Sequence, residues 1–160
     1  MKSTIQDKSS LVNSVFSKVY EKYDLMNDIM SFGVHRIWKN KLIDWMNPQI
    51  NETLIDVASG TGDIAKLFSK KNNHLSKISC VEPNDKMFFT GKSNLKNLKN
   101  IHWHKAKAEK LPFKDDLFDF YTISYGIRNV SNINQSLKEA YRVLKPGGRF
   151  MCLEFSKIDN

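Results

Sequence analysis

The feature that most constrains this chain is a change of hydrophobic period near residue 50. Upstream, Val12, Val15, Phe16, Val19 and Tyr20 recur at i, i+3, i+4, i+7 and i+8, the spacing of an amphipathic helix. An irregular stretch over 23–33 leads to a second helix predicted around 37–46, which Asn47-Pro48 stops. Downstream, strand-sized apolar runs take over at 53–57, 77–81, 101–104, 118–124 and 149–155. Helices are predicted between them: one from a glycine turn to about residue 70, one behind an Asn84 N-cap, and one over about 133–144. Lys145-Pro146-Gly147-Gly148 reads as a turn. Strands alternating with helices imply βαβ units, hence a doubly wound parallel sheet with right-handed crossovers. The expected organisation is a helical segment over 1–50, followed by an α/β, Rossmann-like domain over 51–160.

Ser59-Gly60-Thr61-Gly62-Asp63 falls between the first strand and its helix, the position at which open α/β sheets bind ligands. Glycines there let backbone amides approach a ligand, and a helix N-terminus favours carboxylate or phosphate. Gly60-x-Gly62-x-x-Ala65 satisfies a relaxed dinucleotide fingerprint, with Glu82 placed for a ribose diol. A nicotinamide-binding domain therefore competes. Asp56 argues against it, because a carboxylate inside a buried strand needs a cation to pair with, and a pyrophosphate supplies the reverse. A cofactor with an ammonium and a sulfonium supplies that cation. Glu82, an acceptor-only group when ionised, suits two ribose hydroxyls.

Two further segments extend the pattern. Ala106-Lys107-Ala108-Glu109-Lys110-Leu111-Pro112-Phe113 precedes Asp116-x-x-Phe118-Asp119, and Tyr141-Arg142-Val143-Leu144-Lys145-Pro146-Gly147-Gly148 precedes the last strand. In order and spacing these resemble the motifs of class I S-adenosylmethionine-dependent methyltransferases. Val15-Phe16 with the run over 22–39, Lys-Tyr-Asp-Leu-Met-Asn-Asp-Ile-Met-Ser-Phe-Gly-Val-His-Arg-Ile-Trp-Lys, resembles the N-terminal signature of the ubiquinone/menaquinone biosynthesis C-methyltransferases. Ile123-Ser124-Tyr125-Gly126-Ile127-Arg128-Asn129-Val130 resembles their second signature, and Leu153-Glu154-Phe155-Ser156-Lys157 also fits.

The resemblance implies strand order 3-2-1-4-5, S-adenosylmethionine as cofactor, and methylation of a ring carbon of a polyprenyl benzoquinol or naphthoquinol. Carried onto this sequence, it implies a cofactor site of Asp56, Gly60, Thr61, Gly62, Glu82, Lys107, Ala108 and Ser124. Arg128 and Asn129 would orient the quinol hydroxyl, with Tyr23 and Asp24 on the substrate side. Lys107 departs from the family pattern, which often has Asp or Asn there, since lysine offers the adenine amino group no acceptor. His35 reads as structural rather than as a base, no metal site is expected at His102 and His104, and Phe113, Phe118 and Phe120 read as core. Family members continue past the fifth strand into antiparallel strands that this chain lacks, so it reads as C-terminally truncated. That leaves two other readings open: a methyltransferase of another small or lipid-like acceptor, or a cofactor-binding remnant without turnover.

Composition bounds the setting. The chain has 160 residues, 41% hydrophobic and 26% charged, which describes one ordinary globular unit. No apolar run is long enough to span a bilayer, and residues 1–10 lack the apolar core of a secretory signal. Cys80 and Cys152 each sit in an apolar strand-like run and are expected to be buried thiols in a cytoplasmic or organellar-matrix compartment. The net charge of +8 is concentrated in residues 64–114, which carry 12 bases against 3 acids. Lys outnumbers Arg 21 to 4, whereas bidentate phosphate readers lean on arginine, so no nucleic-acid partner is expected. The lysines form either a solvated face or a contact with an anionic membrane surface, peripheral to the inner membrane. An open fifth-strand edge would favour self-association or assembly into a quinone-biosynthesis complex.

Overall fold

Helices on both sides of a parallel sheet bury both faces of its central strands, which is why those strands read as continuous apolar runs. The computed structural model describes residues 34–155. Strands β1 (Leu54–Val57), β2 (Ile78–Val81), β3 (Ile101–His104), β4 (Phe118–Ser124) and β5 (Leu144–Leu153) form one sheet ordered β3-β2-β1-β4-β5. All four pairings are parallel, and Asp56 lies opposite Cys80 on β2 and Thr122 on β4. The strand order reverses at β1, between β2 and β4, which makes the carboxyl ends of these strands a topological switch point. The amphipathic segment at 12–20, with Tyr23 and Asp24, lies outside the described residues.

Helices α1 (Val34–Met46), α2 (Asp63–Lys71) and α3 (Asp85–Asn94) belong to one layer. There Leu42, Met46 and Phe68 pack with Leu54, Ile78 and Phe120. Phe68 meets Phe120 edge-to-face at 5.7 Å between ring centroids, and fully burying each such ring contributes about 1.5–3 kcal/mol. Helix α4 (Ile133–Val143) and the 106–113 segment cover the other face, where Ala140, Val143 and Leu111 meet Ile55, Tyr121 and Ile123. Asn84 and Asn132 cap α3 and α4 by accepting from the backbone N–H groups of Met87 and Gln135. Gly91 on α3 is required by close approach, since a Cβ there would lie 2.2 Å from the Trp103 ring.

Two features differ from the sequence reading. The first is β5, which begins at Leu144 rather than after the glycines. Phe118 pairs with Leu144 and Phe120 with Arg149, so the segment 145–148 bulges out opposite Asp119 while the strand continues through it. On the β1 side, the N–H groups of Asp119 and Phe120 both donate to the Thr53 carbonyl. This extra residue inverts the alternation, sending Phe118 into one core layer and Phe120 into the other. The second is Cys152. Cys80 is buried and Cys152 is exposed, because β5 is an edge strand that the helices only partly cover. Phe113 is half-buried against Phe118, and both Phe118 and Phe120 are core.

Candidate functional site

A cleft of about 180 Å³ opens at the carboxyl ends of β1, β2 and β4, with α1 along its flank. Its floor is the glycine turn. Gly60 adopts φ +57 with open space where a Cβ would point, and its N–H donates to Glu82 Oε2 at 2.8 Å. Gly62 adopts φ +89 at the start of α2, where a Cβ would meet Leu95 Cδ1 at 2.6 Å and the Trp103 ring at 3.1 Å. The two glycines thus do different work. Gly60 faces the cleft, and Gly62 seats the turn on the core rather than lining it. Thr61 lines the cleft between them.

Asp56 and Glu82 supply the carboxylates. Asp56 is 1% exposed, and its Oδ1 accepts from the Thr122 hydroxyl at 2.7 Å. Its Oδ2 has no hydrogen-bond partner among the described residues, although it belongs to a group that burial makes costly to leave unsatisfied. Burial pushes the Asp56 carboxyl up to about 7, against the opposing pull of the Thr122 hydrogen bond, the nearby Ser59 hydroxyl and Lys39. Glu82 at the tip of β2 is held by two backbone donors, Gly60 N–H on Oε2 and Asn84 N–H on Oε1 at 2.9 Å. Burial raises its pKa as well, with those two donors opposing. With one backbone donor on each oxygen, Glu82 keeps further acceptor capacity, which suits a vicinal diol.

β4 brings the opposite wall. Ser124 lines the cleft, and its buried hydroxyl has no partner among the described residues. Tyr125 follows at φ +56, while Ala58 across the cleft sits at φ +52; Gly126 packs so tightly on Ala58 that a Cβ would come within 2.6 Å. Left-handed Ala and Tyr cost of order 1–3 kcal/mol each, and such strain gathers at functional sites. Lys107 and Ala108 close the far side, Lys107 exposed and Ala108 buried, and Glu109 Oε1 ties that segment to α4 through the N–H groups of Ser131 and Asn132.

Asn129 lines the cleft, but Arg128 does not. The Arg128 guanidinium turns to Glu154 Oε1 at 2.5 Å and lies 5.5 Å from the centre of the Phe155 ring. His35 is buried on α1 away from the cleft. Among the cleft residues to which sequence reasoning gave no site role, two make contacts of note. Tyr125 stacks on Phe155 at 4.8 Å, and Lys39 of α1, 8% exposed, pairs with Asp63 at 2.7 Å. Among the described residues no cluster of three or more His, Cys, Asp or Glu could hold a metal ion, and no helix is long and apolar enough to cross a membrane.

These donors and acceptors fit an adenosyl sulfonium cofactor: a buried carboxylate oxygen and hydroxyl await a cation, and a two-oxygen acceptor awaits a diol. A dinucleotide would bring its pyrophosphate to the glycine turn beside Asp56, a mismatch of sign.

Comparison with known proteins agrees with this geometry. The model of the ubiE/COQ5 methyltransferase family matches residues 2–160. The chain is 54% identical over 158 residues to the ubiquinone/menaquinone biosynthesis C-methyltransferase UbiE of Rickettsia bellii, covering 95% of this chain and 63% of that protein. For the same enzyme of Rickettsia prowazekii the identity is 51% over 157 residues, again with 63% of the relative covered. The chain therefore spans under two thirds of the length of these curated relatives. Among solved structures, YcgJ of Bacillus subtilis matches at a TM-score of 0.66 and 28% identity, covering 72% of this chain and 50% of YcgJ. A SAM-dependent methyltransferase of Thermotoga maritima matches at 0.64 and 27%, covering 87% and 59%. With its sheet order, its cleft and a family match running almost end to end, the chain belongs to the ubiE/COQ5 methyltransferase family.

Proposed function

We propose that this chain is the cofactor-binding part of an S-adenosylmethionine-dependent C-methyltransferase acting on a ring carbon of a polyprenyl benzoquinol or naphthoquinol. The observation that carries the reading is the pairing of the unsatisfied, buried Asp56 Oδ2 with the Glu82 diol acceptor in one cleft. When bound, S-adenosylmethionine supplies an electrophilic methyl group on a sulfonium. Asp56 and Ser124 hold the positively charged end, Glu82 holds the ribose hydroxyls, and the backbone of Lys107 and Ala108 offers the adenine edge its hydrogen bonds. Asn129, which lines the cleft, orients the quinol hydroxyl, and Arg128 joins it when its guanidinium leaves Glu154 for the ring oxygen. Tyr23 and Asp24 act from the substrate side.

Attack by the ring carbon of a deprotonated quinol would cancel the phenolate and sulfonium charges as the methyl–sulfur bond breaks, so a dry cleft favours it. The proton on that carbon would then pass to water to restore the aromatic ring. Orientation contributes roughly 7–11 kcal/mol, more than the 10²–10⁴-fold typical of one proton-transfer group, so positioning outweighs any single base. Residues 1–50 form the substrate-side segment and 51–160 the cofactor domain. Every lysine from 66 to 114 is exposed, which supports peripheral contact with an anionic inner-membrane surface, where a polyprenyl acceptor resides. The half-exposed edge strand β5 supports self-association or assembly with other quinone-biosynthesis enzymes. The compartment proposed is the cytoplasm or an organellar matrix.

Calorimetric titration with S-adenosylmethionine and with NADH tests the cofactor assignment, and methyl transfer from labelled cofactor to a short-chain demethylated quinol tests the acceptor. We expect S-adenosylmethionine to bind and NADH not to, and Glu82→Ala to weaken binding by about 1–3 kcal/mol. Preferential binding of NADH would sink the assignment.

A further inference from the structure

Lys39 has no place in the cofactor scheme above, yet it lines the same cleft. Its side chain is only 10% exposed, which is uncommon for lysine and requires an anion close by. Asp63, the first residue of α2, meets it at 2.7 Å and is itself 44% exposed at the rim. One carboxylate occupies one of three ammonium donors. The rest of the cleft is strongly acidic, with Asp56, Glu82 and Glu109 joining Asp63 along its walls.

An α-amino-acid end carries an ammonium and a carboxylate on the same carbon. Asp56 Oδ2 and the Ser124 hydroxyl suit the ammonium, so the carboxylate must settle close by, among acidic walls that repel it. A cation beside the glycine-turn amides resolves this conflict. Among the described residues, the cations lining the cleft are Lys39 and Lys107. Lys107 is exposed and sits beside Ala108, on the adenine side. Lys39 is buried and reaches the cleft from α1, next to the start of α2.

We infer that Lys39 reads the carboxylate of the cofactor's amino-acid end, sharing its ammonium between that carboxylate and Asp63. This deepens the cofactor assignment and rests on it. The segment upstream of the sheet therefore supplies part of the cofactor's specificity, and α1 is tied to cofactor occupancy through an ion pair 24 residues long in sequence.

The discriminating probe is decarboxylated S-adenosylmethionine, which keeps the sulfonium and the amine. Isothermal titration of the whole chain should show S-adenosylmethionine preferred over this analogue by about 10- to 100-fold, the range for a charge-assisted hydrogen bond. Lys39→Met should bring the two affinities within about threefold of each other by weakening the carboxylated ligand alone, and Lys39→Arg should keep most of the preference. A thermal melt of each variant establishes that it is folded. Equal weakening of both ligands in Lys39→Met would make Lys39 a purely structural partner of Asp63 and overturn the inference. So would a wild-type chain with no preference, which would leave the cofactor assignment standing. Failure of the wild type to bind either ligand would overturn both.

Discussion

Strands β1 and β4 lie side by side, and each carries an aspartate at one end of the pair. At the amino end, the Asp119 carboxylate accepts from the Thr53 N–H and hydroxyl at 2.8 Å each and from Lys145 Nζ at 2.8 and 2.9 Å. At the carboxyl end, Asp56 accepts one side-chain bond and keeps a bare oxygen. Burial alone would raise both pKa values. For Asp119 the lysine and threonine donors overcome it and hold the carboxyl below the usual range; for Asp56 they do not. Backbone strain divides the same way. The left-handed residues in the connections entering β1, β2 and β4 at the amino end are Asn47, Asn51, Asn73, His74 and Asp116, types that tolerate this conformation. At the carboxyl end they are Ala58 and Tyr125, which do not. One end of the sheet is satisfied for stability, and the other withholds its bonding capacity for a ligand.

The largest expected effect is on Asp56. Its carboxyl is neutral below about pH 7 and must ionise to hold a cation, so cofactor binding should release a proton. Affinity should fall about tenfold per pH unit below 7, reaching roughly 100-fold between pH 7 and pH 5. Asp56→Asn should bind weakly with a flat profile, and calorimetry in buffers of different ionisation enthalpy reads the proton directly. The sign for folding is opposite. A raised carboxyl pKa means the native state holds the proton more tightly, so this group's contribution declines as pH rises from 3.8 to about 7. Asp56→Asn should therefore be no less stable than the parent at neutral pH. A clear loss of stability would erase the contrast between the two ends.

The next effect concerns Asp119, whose lowered pKa contributes stability at neutral pH that is lost as pH falls below the ordinary aspartate range. The pair with Lys145 is partly solvated, so Asp119→Asn should cost only about 1–2 kcal/mol in urea melts at pH 7. Cofactor affinity should be unchanged. The smallest effect is Ala58→Gly, which relieves a left-handed alanine and should stabilise by up to about 1 kcal/mol. A destabilised Ala58→Gly would show that the strain at this end is lower than its φ implies.

The strand and helix order was legible because apolar runs and the glycine turn are local signals, and Asn84 announced its cap three residues ahead of the N–H it accepts. Asp56 inside the first strand and Glu82 at the end of the second were legible because a doubly wound sheet brings them together, and Ser124 through the family resemblance. What escaped depends on distant partners. Lys39 looks like any helical lysine until Asp63 is placed beside it, and nothing in the Lys145-Pro146-Gly147-Gly148 run says that strand pairing resumes on its far side. Cys152 was misread because apolar neighbours in sequence do not reveal that β5 lies at the sheet edge. The partner that Arg128 takes, Glu154, also had no local signal, since it comes from another strand end.

The parallel pairing of β1 with β4 also orders events in time. Thr122, the side-chain partner of Asp56, lies 66 residues further along the chain, with β2 and β3 made in between. During synthesis β1 can therefore pair with β2 while its other edge still faces water, and Asp56 remains solvated at no cost. The desolvation of that carboxylate falls on the docking of β4, a contact of long sequence separation and hence of late closure. The cleft is thus assembled in the same step that seals the middle of the sheet, so a nascent chain acquires its ligand site only once β1 is covered on both edges.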